Sequence, residues 1–165
     1  MKLSITSFWA IVILFATGCT SQKEVVETPT PPSPPTVKLD AKTLTISFEQ
    51  TACFGTCPVH KMEIFGSGYT TYHGGRNVAN EGDFIAPLST EQILQIIAKA
   101  NSLNFFDLKE SYKAEMTDLP TTIIYINDGT RKHKVTAYGN YPDNLKTFIT
   151  YLFDFSQNVK WESNK

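Results

Sequence analysis

Two cysteines separated by three residues form the segment whose residue types are best suited to chemistry. Cys53 and Cys57 lie in the stretch CFGTCP, with Gly55 between them and Pro58 directly after. Thiols at this spacing can close a disulfide, exchange electrons with another thiol pair, or bind a soft metal ion such as Cu(I). They can also stay reduced and unused. The surrounding sequence has to discriminate among these four interpretations.

The structural interpretation is a disulfide that closes a tight loop between two antiparallel strands. A strand-like alternation precedes Cys53 and another follows Pro58, and Gly55 permits the bend. Closing so small a loop removes about 2 kcal/mol of unfolded-state entropy in the chain-entropy model. We adopt the Cys53–Cys57 disulfide as our prediction.

Redox exchange requires a lowered thiol pKa, which a helix N-terminus or a nearby cation usually supplies. The residues after the pair alternate like a strand, and Lys61 is the nearest cation. The spacing CxxxCP also resembles that of copper-delivery proteins of the Sco type, in which a histidine completes the site. That resemblance implies ligands Cys53, Cys57 and His60, with His73 or His133 as substitutes for the last. The family has a helix after its motif, whereas a strand is predicted here, so we predict no metal site and no cofactor and keep redox or copper handling as the alternative.

The third cysteine ends a short apolar segment at the N-terminus. Lys2 precedes the run FWAIVILFATG, residues 8–18, and Cys19 follows. A bilayer span needs ~20 apolar residues, so the run fits the apolar region of a secretory signal instead. The residues ATG before Cys19 resemble the lipobox of bacterial lipoproteins, although Ala16 stands where that family usually has a larger aliphatic residue.

The lipoprotein resemblance implies removal of residues 1–18 as a signal peptide and attachment of a diacylglycerol to Cys19. It also implies an acyl chain such as palmitate on the new amine, and two or more chains anchor a protein stably. The expected location is the bacterial cell envelope, at the outer membrane, facing either the periplasm or the outside. With Cys19 assigned to lipid, Cys53 and Cys57 remain as a pair in a compartment that favours disulfides.

Residues 19–37 combine the lipid site with five prolines between positions 29 and 35. Such a segment favours an extended, semi-rigid tether, and a motif for a polyproline-binding protein is the alternative. We expect the tether to hold one domain, residues 38–162, away from the membrane.

The domain alternates in the manner of short strands. Leu44, Ile46 and Phe48 share one face of the first strand, and VHKMEIFG, YTTYHG and DFIAPL give three more. TTIIYIN and RKHKVTAY form a hairpin around Asp128-Gly129, a type I′ turn signal. Because both faces of TTIIYIN are apolar, we expect a central strand that is buried on both sides. The segment KESYKAEMTDLP is predicted to be a polar loop.

Two segments carry helical spacing. Ser89 and Gln92 match a capping box before one apolar stripe, and a second stripe follows Pro142. Phe105 is expected to fill the core just after the first helix, and Trp161 to hold the C-terminus against the domain. The order β-β-β-β-α-β-β-α predicts an α+β fold, with an antiparallel sheet of about six strands and both helices packed on one face.

The segment CFGTCPVHKMEIFGSG, followed by a helix, TDLPTT and a hairpin, resembles an uncharacterised family of small bacterial envelope lipoprotein domains. The resemblance runs from about Leu44 to Trp161. His60 stands where that family is expected to have an aromatic residue, which implies a packing position. The family has no assigned activity, so the resemblance implies a fold and no chemistry.

No catalytic constellation is evident, and we predict no catalytic residues. The histidines lack metal-ligand spacing along one helix, and no serine has a nucleophile-elbow context. Asp118 is expected to cap local backbone amides, and Glu110 and Glu115 to be solvated. Five tyrosines can face either a groove or the core: Tyr69, Tyr72, Tyr125, Tyr138 and Tyr141.

The formal net charge of -1 offers no basic surplus for phosphates, which argues against nucleic-acid binding. The tether, the anchor and the lack of a catalytic constellation favour a non-enzymatic module that binds a protein or ligand near the membrane, or has a scaffolding role. We expect an envelope protein as partner, and the sequence does not identify a small-molecule ligand.

Overall fold

The computed structural model describes residues 37–165 of the chain. The predicted signal peptide, the lipid site at Cys19 and the proline-rich segment lie outside the described residues. Within residues 37–165, no helix combines the length and the apolar character needed to cross a membrane. In chain order the elements are β1 (Leu44–Gln50), β2 (Val59–Phe65), β3 (Tyr69–Arg76), β4 (Gly82–Pro87), α1 (Thr90–Ser102), a 3₁₀ turn (Phe105–Asp107), β5 (Ser111–Lys113), β6 (Thr122–Asn127), β7 (Lys132–Tyr138), α2 (Asp143–Asn158) and β8 (Glu162–Ser163).

One sheet contains all eight strands, in the order β5-β7-β6-β1-β2-β3-β4-β8. Every neighbouring pair is antiparallel except β5 and β7, which run parallel. The mixed α+β class and the mostly antiparallel sheet are therefore confirmed, whereas the predicted strand count and order are wrong in detail. The two additional strands are β5, which lies inside the segment predicted as a polar loop, and β8. Both are too short to show an alternating pattern.

Both helices pack on one face of the sheet and form the core with it. The predicted stripes are buried, with Ile93, Ile96, Ile97 and Ala100 on α1 and Leu145, Phe148, Ile149 and Leu152 on α2. They meet alternate residues of the central strands: Ile46, Phe48, Met62, Ile64, Ile124 and Ile126. Burial of each large apolar side chain contributes roughly 1.5–3 kcal/mol.

The ends of the helices also follow the sequence prediction. Ser89 Oγ accepts a hydrogen bond from Gln92 N at 3.2 Å, and Gln92 Oε1 accepts one from Ser89 N at 2.9 Å, which is the expected capping box. Phe105 is fully buried after α1. Trp161 Nε1 donates to Ser156 O at 2.8 Å and its ring stacks on Tyr72, so the C-terminal segment is held against the core as predicted.

No helix of the described residues covers the opposite face of the sheet. Ile123 and Tyr125 lie on this open face and are half-buried, so the expectation that β6 is buried on both sides is wrong. Ile123 and Tyr125 line a shallow groove of about 370 Å³ on this face. Leu44, Glu49 and Lys134 of the neighbouring strands also line the groove, and their side chains keep the two residues partly buried. The strand is nevertheless interior to the sheet, as expected.

A β-bulge moves Leu44 away from the face predicted for it. The register pairs Leu44 with Phe65 and then Ile46 with Ile64, so Thr45 is the extra residue. Thr45 is buried, and its hydroxyl donates to Thr43 O at 3.3 Å. Leu44 consequently shares the open face with Phe65, whereas Ile46 and Phe48 face the core.

The β6–β7 connection, residues 128–131 and here termed the Asp128 turn, lies at the end of the sheet where the described chain begins. Asn127 pairs with Lys132 and Asp128 N donates to Arg131 O at 3.1 Å, so the predicted hairpin is present. Of the turn residues only Gly129 has a positive φ, of 86°, so the predicted turn type I′ is wrong. Lys38 passes directly against this turn, since a Cβ on Gly129 would lie 2.1 Å from Lys38 O. The chain therefore enters the domain at this end of β1.

Candidate functional site

A disulfide closes the connection between β1 and β2. Cys53 and Cys57 are bonded to each other with a Cα–Cα distance of 5.8 Å, so the predicted disulfide is present. Gly55 N donates a hydrogen bond to Cys53 Sγ at 3.2 Å inside the loop. With its ends fixed to two adjacent strands, this disulfide loop, residues 53–57, has little freedom to redirect its side chains.

Phe54 projects from the disulfide loop into solvent. Its side chain is 89% exposed, whereas a fully buried phenylalanine would contribute roughly 1.5–3 kcal/mol to folding. The backbone N–H of Phe54 donates to Asp118 O at 3.4 Å, which holds the loop against the segment that precedes β6. The ring therefore occupies a defined place on the surface and does not serve the core.

Three loops meet around the disulfide and are hydrogen-bonded to one another. Thr51 and Thr121 exchange two bonds of 3.0 Å, and Asn77 Nδ2 donates to Cys57 O at 3.0 Å. We term the exposed part of residues 53–57, 77–81 and 114–121 the tip surface. Gln157 at the end of α2 supports it, because its Oε1 accepts from Ala79 N at 2.9 Å.

Strained backbone conformations concentrate at this end of the sheet. Of the four non-glycine residues with positive φ in residues 37–165, three lie in or beside the tip surface: Asn77 at 57°, Asp118 at 69° and Asn140 at 49°. Asn and Asp tolerate this region better than other residues, and each such conformation costs on the order of 1 kcal/mol or more. Strain of this kind is common where a protein presents a functional surface.

Met116 marks a cleft at the outer side of the tip surface. The cleft has a volume of about 640 Å³, and its lining consists of residues 113–117 and Tyr138. Met116 is 63% exposed, and Tyr138 is held in place because its hydroxyl accepts from Leu119 N at 3.4 Å. An exposed thioether beside a fixed aromatic ring suits an apolar side chain of a partner.

His60 lies on the core face of β2 and is 2% exposed. Its Nε2 is 3.0 Å from Gln50 Oε1, and its ring centroid is 4.9 Å from that of Phe48, 5.7 Å from Tyr72 and 5.5 Å from Phe153. Burial lowers the pKa of His60 to about 4, so the ring is neutral at pH 7. Its aromatic surroundings are those of the packing position that the family resemblance implies.

The alternative metal site is not assembled in the described part of the chain. Within residues 37–165, no three histidine, cysteine, aspartate or glutamate side chains are grouped as metal ligands. His60 is therefore not brought together with Cys53 and Cys57, whose sulfurs are bonded to each other. His133 packs its ring edge-on against Phe105, with 5.5 Å between the ring centroids.

The remaining candidate residues lie apart from one another. His73 Nδ1 is 2.6 Å from Asp83 Oδ1, and both side chains are exposed on the open face. The Asp118 carboxylate accepts from the Thr117 hydroxyl at 3.1 Å, so the expectation that it caps backbone amides is wrong. Its positive φ and the contact of its carbonyl with Phe54 explain the difference. Glu110 and Glu115 are exposed, as expected.

The five tyrosines divide between the core and the surface. Tyr72 is buried and belongs to the core, and Tyr69 is 49% exposed beside the β2–β3 turn, at the end of the sheet far from the disulfide. Tyr138 lines the cleft, and Tyr125 lines the groove on the open face. Tyr141 is half-buried against the core.

Sequence reasoning did not single out Phe54 or Met116. A signal for Phe54 was available, because a large apolar side chain between two disulfide-bonded cysteines four positions apart cannot reach the core. Met116 carries a similar signal as an apolar residue in an otherwise polar segment. Their exposure, and the surface they share, are established only by the placement of the neighbouring loops.

Comparison with known families finds a match over most of the fold. No curated protein matches the chain. Residues 44–156 match DUF6438, a domain of unknown function, and the match begins at the first residue of β1 and ends within α2. Because the match covers more than half of the chain, the protein belongs to the DUF6438 family.

Proposed function

We propose that this protein is a lipid-anchored envelope protein whose domain binds a protein partner through the tip surface. The observation that carries the proposal is Phe54, which is 89% exposed on a loop closed by a disulfide. A large ring held in solvent at a fixed position contributes little to folding. It is well suited to fill an apolar pocket on another protein.

The rigidity of the disulfide loop favours a binding role for the exposed Phe54 ring. Binding a flexible aromatic side chain costs about 0.5–1.5 kcal/mol of conformational freedom, and more if its loop must be ordered. Here the disulfide, the bond from Phe54 N to Asp118 O and the bond from Asn77 to Cys57 O order the loop before any partner arrives. Binding energy from the Phe54 ring is therefore not spent on ordering the loop.

The path of the chain keeps the start of the described domain away from Phe54. The chain enters the domain beside the Asp128 turn, and β1 then runs toward the disulfide. The first described residues therefore do not cover Phe54, which stays accessible to a protein partner.

The envelope location rests on the lipobox resemblance at Cys19 and on the disulfide, because such bonds persist in oxidising compartments. Cells that express the full-length chain with labelled palmitate test the anchor. We expect label on the protein and none on Cys19→Ser. Cys53→Ser serves as the matched control and should keep the label, and equal labelling of Cys19→Ser would refute the anchor.

Site-specific photocrosslinking of the full-length chain in its cells tests the binding function. A benzophenone amino acid at position 54 should give a discrete protein adduct on gels. The same probe at position 69 should not, because Tyr69 is an exposed aromatic residue at the other end of the sheet. Identical adducts from both positions, or none from position 54, would contradict the proposal.

A further inference from the structure

We propose that the partner contributes an extended segment that pairs with the outer edge of β5 and places an apolar side chain in the Met116 cleft. The inference rests on the proposed function and specifies the kind of partner it needs. β5 lies at the edge of the sheet, and β7 is its only neighbour among the described residues. The cleft begins at Lys113, the last residue of β5, so edge and cleft are continuous.

The hydrogen-bond pattern of β5 leaves backbone groups directed away from the sheet. Thr136 N donates to Glu110 O at 2.8 Å, and Ala114 N donates to Tyr138 O at 2.7 Å. Ser111 lies opposite Thr136, and Lys113 lies opposite Tyr138. In a parallel ladder, the bonds to Thr136 and Tyr138 come from the residues before and after Ser111 and Lys113, and not from Ser111 and Lys113 themselves. The N–H and C=O groups of Ser111 and Lys113 therefore point outward, which is the arrangement that accepts an added strand.

The opposite edge of the sheet is already covered by the chain itself. β8 pairs with Phe84 and Ile85 of β4, and Asn164 N donates to Asp83 O at 3.0 Å. Trp161 holds this cover in place through its stack on Tyr72. The β5 edge has no such cover within residues 37–165.

The cleft adds side-chain selectivity to this backbone pairing. In strand addition, main-chain bonds supply affinity and pockets for alternate side chains supply specificity. Met116 is flexible and polarisable, and Tyr138 gives the cleft a fixed aromatic wall, so a range of apolar side chains fits. The occupant is thus an extended peptide with an apolar residue one or two positions beyond its paired stretch.

Lys113→Pro tests the pairing with little disturbance of the fold. Proline removes the outward N–H of Lys113 and blocks an incoming strand, while β5 keeps its bonds to β7. Lys113→Ala is the matched comparison: it removes the same side chain, which lines the cleft, but keeps the N–H, so the difference between the two variants reports the N–H alone. Met116→Asp tests the cleft without touching a strand. Thermal unfolding of each variant checks that the domain is folded.

The probe is a displayed library of random decapeptides, selected on the detergent-solubilised full-length chain, followed by a synthetic peptide of the enriched sequence. We expect binding that weakens about tenfold or more in Met116→Asp, and that is about tenfold or more weaker in Lys113→Pro than in Lys113→Ala. Equal binding to Lys113→Pro and Lys113→Ala, or no enriched peptide, would overturn the inference. A crosslinked adduct from position 54 that persists in Lys113→Pro would overturn it as well, while the proposed function would stand.

Discussion

The two ends of the central strands carry connections of opposite design: the disulfide loop between β1 and β2, and the Asp128 turn between β6 and β7. At one end the disulfide loop fixes its backbone covalently and turns its aromatic residue outward, with Phe54 89% exposed. At the other end the Asp128 turn is fixed by hydrogen bonds and turns its groups inward. The Asp128 turn thus uses its side chains to hold the fold, and the disulfide loop presents its aromatic residue to solvent.

The Asp128 carboxylate is the main hydrogen-bond acceptor of its turn. It is nearly fully buried and accepts bonds from Thr130 and Arg131, including 2.7 Å from Arg131 N and 2.9 Å from Arg131 Nε. Burial by itself raises the pKa of Asp128, but the hydrogen bonds from Thr130 and Arg131 outweigh it and hold the pKa at about 2. Arg131 also lies 3.9 Å over the ring of Phe106, which joins the turn to the core.

The largest expected effect is at the Asp128 turn. Asp128→Asn directs an amide toward the Arg131 donors and should lower the free energy of unfolding by about 3 kcal/mol, measured by urea denaturation at pH 7. The matched control is Asp118→Asn at the tip surface. Its carboxylate is exposed with one hydroxyl partner, and Asn tolerates its φ of 69°. We expect a change within about 0.5 kcal/mol, and equal losses would break the comparison.

The next largest effect is the pH dependence of stability, which distinguishes His60 near the disulfide end from Asp128 at the other end. His60 has a pKa of about 4 in the fold against 6.5 for the free side chain. The neutral ring therefore contributes its full stabilisation above pH 6.5. That stabilisation is lost as the pH falls toward 4, because the unfolded state binds a proton there and the folded state does not. The loss amounts to roughly 3 kcal/mol. In His60→Phe the difference in unfolding free energy between pH 7 and pH 4 should shrink by about that amount.

Asp128 should affect the stability of the fold at a lower pH than His60 does. Its folded pKa is depressed from 3.8 to about 2, so its contribution is present above pH 4 and disappears as the pH falls through 2. In Asp128→Asn the loss of stability between pH 7 and pH 4 should therefore match that of the wild type. A pH 7 to 4 difference that is unchanged in His60→Phe would contradict the assignment of that window to His60.

A smaller effect is expected at the disulfide. The double variant Cys53→Ser, Cys57→Ser should lose about 2 kcal/mol, because the loop it opens is short. Reductant should reproduce that loss in the wild type and have no effect on the variant. A structural bridge should also have a reduction potential below about −300 mV, and an easily reduced pair would favour the thiol redox alternative.

The smallest effect on stability is expected from Phe54→Ala, within about 0.5 kcal/mol, because the ring makes no core contact. Phe106 offers the matched comparison at the Asp128 turn, since it packs against the core and beneath Arg131. Phe106→Ala should cost about 2 kcal/mol by thermal or urea unfolding. If Phe54→Ala costs as much, its ring is structural and the tip surface loses its central residue.

Features set by near neighbours in sequence could be predicted. The capping box of Ser89 and Gln92 and the apolar stripes of α1 and α2 depend on spacing within one turn or two, and they lie where predicted. The hairpins β2–β3 and β6–β7 likewise follow from alternation and turn residues. The disulfide followed from spacing and the short connection between two strands.

Features set by distant partners could not be predicted in the same way. β5 and β8 exist because β7 and β4 offer an edge, and their own three and two residues carry no pattern. The bulge that moves Leu44 to the open face depends on its register with β2. The tip surface depends on three loops that are far apart in sequence, so the sequence pointed to the cysteines and not to the exposed ring between them.

The parallel pairing of β5 has a consequence for the order of assembly. β5 comes before β6 in the chain, but within residues 37–165 β7 is the one strand it pairs with, so its place does not exist until the β6–β7 hairpin has formed. Its three residues then add few bonds to a completed edge. It should fold last and be among the first strands to exchange its amide hydrogens with solvent, because local opening is easiest where few contacts hold an element.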